Sequence, residues 1–311
     1  MPVAGALVTA ALITSALLLT LVVPRLLATW SRPRRAPAPG LLLWQAVALS
    51  GVLCALLAAP VAALTLGLRH PTLLGMACAV SGVMLARVLW SGHRVGTDLR
   101  RRRAEHRALV DLVGERLESL RSQRRHDPVS VLAHPVPTAY CLPGRGDRIV
   151  LSRAAVDRLG REELRAVLAH EQAHLDHRHD LLLELFTALH EAVPAQVRAP
   201  SALREVHLLA EALADRRAAR RTSAPALARA LVAMATPAAA APTTGTAPRQ
   251  AVLEPALVAA GPGDAGAPGQ QVRVRLGLLA DRRTPAGLPG LLLAAAVLVL
   301  ALPAALLLPL V

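Results

Sequence analysis

The sequence lacks several features that would point to other classes of protein. It contains no lysine, so its 35 basic residues are all arginine, and only 18% of its 311 residues are charged. A disordered chain needs low hydrophobicity and high charge, whereas 54% of this chain is hydrophobic. Its three cysteines include no CxxC pair and are too few for a disulfide framework. We therefore predict a folded chain with unpaired thiols.

Charge is missing altogether from long stretches of the chain. A membrane-spanning helix needs about 20 apolar residues, and four runs are long enough. We predict transmembrane helices at about 3–23, 41–67 and 72–90, with a fourth within 284–311. Arg87 is the one charged residue of the third run, and its long stem is expected to carry the guanidinium to the interface.

The first apolar run has no basic residue before it, which argues against a cleaved signal peptide. Four arginines follow that run and six follow the third, whereas only Arg69 lies between the second and third runs. Arginine-rich short loops stay in the cytoplasm. The pattern predicts a multi-pass protein of the cell membrane, with both termini outside and residues 91–283 cytoplasmic. A membrane surface also explains the net charge of +14, so no direct nucleic-acid binding is expected.

The sequence thus predicts three parts. Residues 1–90 hold three transmembrane helices, residues 91–283 form a cytosolic domain, and residues 284–311 form the fourth helix. The fold class is mainly α and membrane-embedded, with an α+β cytosolic domain. Within that domain the residue patterns predict a charged helix over 97–126, a hairpin over 129–152, one long helix over 161–192, a helix over about 201–221, and a mobile loop over 236–272.

The strongest chemical signal is an HExxH sequence on the predicted long helix. His170 and His174 are four residues apart, so their side chains share one helix face and can bind one Zn²⁺ ion. Glu171 would then lie beside the metal as the general base. The polar triplet interrupts an apolar stripe, and buried polar side chains need partners, so a metal site is favoured over a chance match.

A catalytic zinc ion needs a third protein ligand, and the next helix offers candidates. Glu211 is the predicted ligand, and Asp215, one turn later, is expected to hydrogen-bond the outer nitrogen of a ligand histidine. Glu205 and His207 compete for the ligand role on the same helix. Three further residues follow the motif: His177 and His179 are interpreted as surface or second-layer groups, and Asp180 as a residue that caps or orients a histidine.

The HExxH and ExxxD pair, preceded by PTAYCLPGRGDRIVLS and REELRAVLAHE, resembles the integral-membrane gluzincins. Residues 130–221 are most similar to the BlaR/MecR-type metallopeptidases, and HtpX-like and CAAX-prenyl-protease-type peptidases share the motif pair. The resemblance implies a gluzincin-like domain with one zinc ion on His170, His174 and Glu211, and Glu171 as the catalytic base. The beta-lactam sensors carry a penicillin-binding domain after their last span, whereas this sequence stops at Val311, so direct antibiotic sensing is not expected.

The function expected from these residues is zinc-dependent endopeptidase activity on the cytoplasmic side of the membrane. The resemblance implies regulatory proteolysis, with a protein or peptide substrate and a BlaI-like transcriptional repressor as a partner. An inactive signalling protein and a quality-control protease are the alternatives. The strand at 147–152 is expected to pair with an extended substrate, and Tyr140 and His207 are the candidates for a second oxyanion donor.

Overall fold

The computed structural model describes residues 2–116, 129–144, 146–236, 268–281 and 283–310. These residues are mainly helical and include one small sheet. The chain divides into two compact units. The helical unit comprises Met1–Thr97, Leu181–Ala210 and Arg283–Val311, and the sheet unit comprises Asp98–Asp180 and Glu211–Arg282. The helices, in chain order, are α1 Pro2–Leu17, α2 Val23–Thr29, α3 Pro37–Thr65, α4 Pro71–Val113, α5 Arg153–Arg158, α6 Arg161–Asp176, α7 His179–Ala192, α8 Pro200–Arg221, α9 Ala224–Ala235, α10 Pro268–Ala280 and α11 Leu288–Leu307.

Four helical segments among the described residues are long and apolar enough to cross a membrane. They are Val3–Thr29, Pro37–Thr65, Pro71–Val113 and Leu288–Leu310. The first consists of α1 and α2 joined by a π-helical turn at Leu18–Val22. These segments coincide with the four predicted spans and indicate a multi-pass membrane protein.

Small residues and hydroxyl groups join the helices of the helical unit. Cys54, Ala55 and Ala58 of α3 are fully buried. Ser50 of α3 donates a hydrogen bond to the carbonyl of Val299 in α11 at 2.7 Å, and Ser81 of α4 donates to the carbonyl of Ala55 at 2.6 Å. Lipid-embedded helices associate through close packing and such hydrogen bonds, because lipid supplies no hydrophobic drive between them.

Arg87, the charged residue of the third apolar run, contacts the end of α7. Its guanidinium donates hydrogen bonds to the carbonyls of Glu191 at 3.1 Å and Val193 at 3.3 Å, and also to that of Ala192. The last carbonyls of a helix have no partner within the helix. Arg87 therefore supplies hydrogen-bond donors to the end of α7. This role explains why a charged residue lies within an apolar run.

The sheet unit contains four strands, β1 Glu115–Arg116, β2 Val129–Leu132, β3 Ala139–Leu142 and β4 Arg148–Ser152. Their order is β1-β2-β4-β3. The antiparallel pairing of β3 with β4 confirms the predicted hairpin, while β2 adds a strand parallel to β4. Because β4 is paired on both sides, the expectation that it adds an extended substrate is wrong. Strand β3 lies at the edge instead.

The two faces of this sheet pack against different helices. Cys141 and Ile149 contact Leu175 of α6, and Tyr140 and Val150 contact Val110 of α4, as the alternation of side chains along a strand requires. The N-terminus of α6 is fixed by a Glu163 carboxylate oxygen that accepts the Gly160 N–H at 3.0 Å. The sheet and this cap hold the HExxH helix in place.

Two helix predictions need correction. The predicted helix over 161–192 is two helices, because Arg178 adopts φ 50° between α6 and α7; a residue in the left-handed region interrupts a helix. The charged helix predicted over 97–126 is the end of α4, which stops at Val113 and is followed by a strand. The rest of that prediction, 117–126, lies outside the described residues.

Two further helices, α9 and α10, escaped the sequence analysis, as did the short helix α5. The first, α9, begins at a Ser223 side chain that accepts the Ala226 N–H at 3.2 Å. The second, α10, covers the last residues of the predicted loop over 236–272. Most of that loop, 237–267, lies outside the described residues.

Candidate metal centre

The predicted ligands come together between α6 and α8 in the sheet unit. The Nε2 atoms of His170 and His174 are 3.2 Å apart. One carboxylate oxygen of Glu211 lies 3.4 Å from the Nε2 of His170, and the other lies 3.4 Å from the Nε2 of His174. The two imidazoles and the carboxylate therefore face one common point.

These distances fit a zinc ion. Four ligands at 2.0–2.1 Å in a tetrahedron lie about 3.4 Å from one another. The two Nε2 atoms here are 3.2 Å apart, and each lies 3.4 Å from a different oxygen of the Glu211 carboxylate. Two histidines and a glutamate are also a known donor set for catalytic zinc, which leaves one position open. Among the described residues, His170, His174 and Glu211 form the one group that could hold a metal ion.

Both outer imidazole nitrogens also lie close to polar groups. The Nδ1 of His170 lies 3.0 Å from a carboxylate oxygen of Asp215, the residue that the sequence predicts behind it. The Nδ1 of His174 lies 3.0 Å from the Nδ1 of His179, and burial, with the neighbouring His174, lowers the pKa of His179 to about 3. The Nδ1 atom of a neutral His179 can accept a hydrogen bond from the Nδ1–H group of His174, which leaves the His174 Nε2 lone pair free for a metal.

Arg275 of α10 joins the two carboxylates of α8, and the sequence analysis did not single it out. Its Nε and Nη2 atoms lie 2.8 and 2.7 Å from the two oxygens of Asp215. Its Nη1 atom lies 2.9 Å from Glu211. One guanidinium thus holds both Glu211, a candidate metal ligand, and Asp215, the carboxylate behind the candidate ligand His170.

The charges of this cluster shift the pKa values of its members. Burial alone would raise the pKa of Glu211 and of Asp215, but Arg275 and the histidines outweigh burial and lower both. Burial alone would lower the pKa of His170, whereas its contacts with Asp215 and Glu211 raise it to about 10. Both carboxylates are therefore ionised at neutral pH, as a metal ligand and its supporting group must be.

Glu171 is buried in α6, directly after His170. Burial, with the negative charge of Glu171 adding to it, raises the pKa of the Cys141 thiol on the edge strand β3. Helix α6, which carries Glu171, packs through Leu175 against the sheet face to which Cys141 of β3 contributes.

The structure separates the other candidate residues from the metal cluster. Glu205 forms an ion pair with Arg34 within the helical unit, so its carboxylate is already engaged. Tyr140 contacts the Nε2 of His106 at 2.5 Å on the sheet face opposite α6. The expectation that Tyr140 supplies an oxyanion donor is therefore wrong.

Three residues near the motif take different roles. His177 is exposed and is therefore a surface group. His179 is buried against His174, behind the candidate ligands. Asp180 forms an ion pair with Arg103 at 3.6 Å and is not seen to orient a histidine. His207 belongs to the helical unit, and its ligand and oxyanion roles stay predictions.

Two histidines and a glutamate on adjacent helices, with acidic and imidazole groups behind them, define a candidate zinc-hydrolase centre. Residues 104–263 match peptidase family M48, and the chain belongs to that family. Family membership implies a metallopeptidase and supports zinc as its metal. No curated protein and no solved structure matches the chain. The match covers the HExxH helix, the ExxxD helix and the sheet.

Proposed function

We propose that this protein is a membrane-embedded, zinc-dependent endopeptidase. The observation that carries the proposal is that His170, His174 and Glu211 each offer one donor atom, all within 4.8 Å of one another. Each histidine Nε2 atom also lies 3.4 Å from one of the two oxygens of the Glu211 carboxylate. When bound there, Zn²⁺ would acidify a water molecule and polarise a substrate carbonyl. Asp215 and His179 would orient the two imidazoles from behind.

Glu171 is the proposed catalytic residue of the chain. It follows the first histidine on α6 and is buried, so a carboxylate next to the metal ligands is shielded from bulk water. It would accept a proton from the attacking water and return it to the leaving amine. The edge strand β3, rather than β4, would align an extended substrate through backbone hydrogen bonds.

The setting of this activity is inferred from the sequence. The arginines that follow the first and third spans favour a cytoplasmic catalytic domain and outer termini. The resemblance to BlaR/MecR-type peptidases supports a role in regulatory proteolysis, with a BlaI-like repressor as a substrate. A quality-control protease would use the same centre on other substrates. An inactive signalling protein is disfavoured, because Glu171 and all three ligands are present.

The test is zinc-dependent cleavage of a proteome-derived peptide library by the full-length protein in detergent, read by mass spectrometry. Glu171→Gln should keep its zinc and lose at least about 100-fold in cleavage, since a general base contributes 10²–10⁴-fold. Glu162→Gln is the matched control, because Glu162 lies on the same helix with a side chain that is 75% exposed. Equal cleavage by the wild type and Glu171→Gln would exclude the assigned role, and a zinc-loaded wild type without cleavage would favour the inactive alternative.

A further inference from the structure

Helix α7 is held against the membrane spans by side chains from two of them. Gln45 of α3 donates to the carbonyl of Leu182 at 3.1 Å, and Ser91 of α4 donates to that of Ala188 at 2.8 Å. Arg87 of α4 donates to the last carbonyls of the helix. The rings of Trp44 and Phe186 meet edge to face, with centroids 6.0 Å apart. From Leu181 onwards, α7 is therefore part of the helical unit.

These contacts lie near one boundary of the apolar layer. At 1.5 Å per residue, Arg87 is about 24 Å along α4 from Pro71, and Ser91 is about 30 Å along it. The hydrocarbon core of a bilayer is about 30 Å thick. Helix α7 consequently meets α4 where the hydrocarbon gives way to the lipid headgroups.

The part of α7 in the helical unit has three faces, because successive residues turn by about 100°. Phe186 and Leu189 form the face buried against the spans. Glu184, Thr187 and Glu191 form a polar stripe on another side. Leu181 and Leu185 lie on the third face, one turn apart, and they remain 53% and 51% exposed.

We propose that α7 is an interfacial helix whose Leu181 and Leu185 contact lipid acyl chains. The spans cover the face that holds Phe186 and Leu189, whereas Leu181 and Leu185 remain as an uncovered apolar surface beside it. The polar stripe of α7 lies on the side where lipid headgroups and water would contact it. Helices with this division lie in the plane of the interface. The lipid contact requires neither zinc nor catalysis, so it stands apart from the proposed peptidase activity.

The residues around α7 favour a bilayer as the occupant of this face. Leu89 and Trp90 of α4 are 64% and 69% exposed next to Ser91, and tryptophan is enriched at membrane interfaces. Arg32 and Arg94 flank the same end of the spans and are exposed, which suits anionic headgroups. The exposed leucines extend a surface that already belongs to membrane helices.

The experiment places a fluorescent NBD label at Leu181→Cys or Leu185→Cys in the full-length protein. The background is Cys78→Ala, because Cys54 and Cys141 are buried and Cys78 is exposed. The protein is reconstituted in vesicles of phosphatidylcholine with a minor share of phosphatidylglycerol. Quenching is measured with doxyl-labelled lipid and with aqueous iodide. Thr187→Cys, on the polar stripe of the same helix, and Asp157→Cys, exposed on α5, are the matched controls.

Labels at 181 and 185 should be quenched several-fold more by the doxyl lipid than labels at 187 and 157, and should be protected from iodide. Equal lipid quenching at 181, 185 and 187 would overturn the assignment of faces. Iodide quenching at 181 and 185 as strong as at 157 would show that the face lies in water. Protection from both quenchers would mean that a protein surface, such as a second copy of the chain, covers it.

Discussion

Arg275 and Asp215 form a two-point ion pair in which Nε and Nη2 approach separate carboxylate oxygens at 2.8 and 2.7 Å. The residues are 60 positions apart and lie on α10 and α8. Because the remaining Nη1 atom contacts Glu211 at 2.9 Å, this arginine compensates the buried carboxylate of Asp215 and the partly exposed carboxylate of Glu211. A bound Zn²⁺ ion would supply further positive charge to the same group.

We predict that Arg275→Met destabilises the metal-free protein more than the zinc-loaded protein. Removing one partner of a buried ion pair costs about 3–5 kcal/mol, since it leaves an uncompensated charge. Zinc would restore part of the compensation. The melting temperature in detergent, measured with a chelator and with zinc, should therefore show a larger zinc-induced rise in the variant than in the wild type.

Arg273→Met is the control for that measurement. Arg273 lies two residues earlier on α10 and is exposed, so its loss removes the same charge without removing the contacts to Asp215 and Glu211. Its zinc-induced rise should match the wild type. A smaller rise in Arg275→Met than in the wild type would contradict the compensating role.

The second prediction concerns Asp215, which contacts the outer nitrogen of His170. Asp215→Asn should weaken zinc binding about 10- to 100-fold, because such carboxylates orient ligand imidazoles and raise their basicity. Competition with a chromophoric chelator measures the effect. Glu205→Gln, on the same helix but paired with Arg34, should bind zinc like the wild type; equal weakening in both variants would rule out a specific role for Asp215.

The third prediction follows from the position of Tyr140. Its hydroxyl contacts His106 on the sheet face opposite the metal cluster, and burial raises its pKa. Tyr140→Phe should leave the rate of peptide hydrolysis unchanged while lowering stability by about 1 kcal/mol, the usual net contribution of a hydrogen bond. A large loss of kcat in a folded, zinc-loaded Tyr140→Phe protein would return Tyr140 to the list of catalytic candidates.

The fourth prediction concerns orientation in the membrane. Ten arginines follow the first and third spans and one lies between the second and third, and such asymmetry orients membrane proteins. A reporter that is active only in the cytoplasm should work when inserted between Thr236 and Pro268 and be silent when fused after Val311. The reverse pattern would place the metal centre outside. Activity at both sites would mean that the fourth apolar segment does not cross the membrane.

Local sequence patterns were enough to predict the spans, the hairpin and the shared helix face of His170 and His174. Charge-free runs of about 20 residues have few alternatives to a membrane span, and a separation of four residues puts two side chains on one helix face. Glu211 and Asp215 were singled out in the same way, because the same spacing recurs on α8, two helices after α6. Each of these signals lies within a short stretch of sequence.

The features that were missed depend on distant contacts or on single backbone angles. Arg275 stands among the arginines before the last span, where membrane flanking explains it equally well, and only the fold pairs it with Asp215. The apolar period continues through Arg178 although its φ of 50° ends the helix. The residues of β4 do not show whether the strand lies at the centre or at the edge of the sheet. Its central position depends on the parallel pairing with β2, which begins about 20 residues earlier in the chain.

The central claim is that His170 and His174 hold a zinc ion beside a catalytic Glu171. The most direct test is the zinc content of the purified full-length wild type, His170→Ala and Glu171→Gln proteins, measured by mass spectrometry after gel filtration. We expect one zinc ion per chain in the wild type and in Glu171→Gln, and little zinc in a folded His170→Ala protein, since two remaining ligands are too few for a stable site. Full zinc occupancy in His170→Ala would contradict the metal centre, and loss of zinc from Glu171→Gln would make Glu171 a ligand rather than the base.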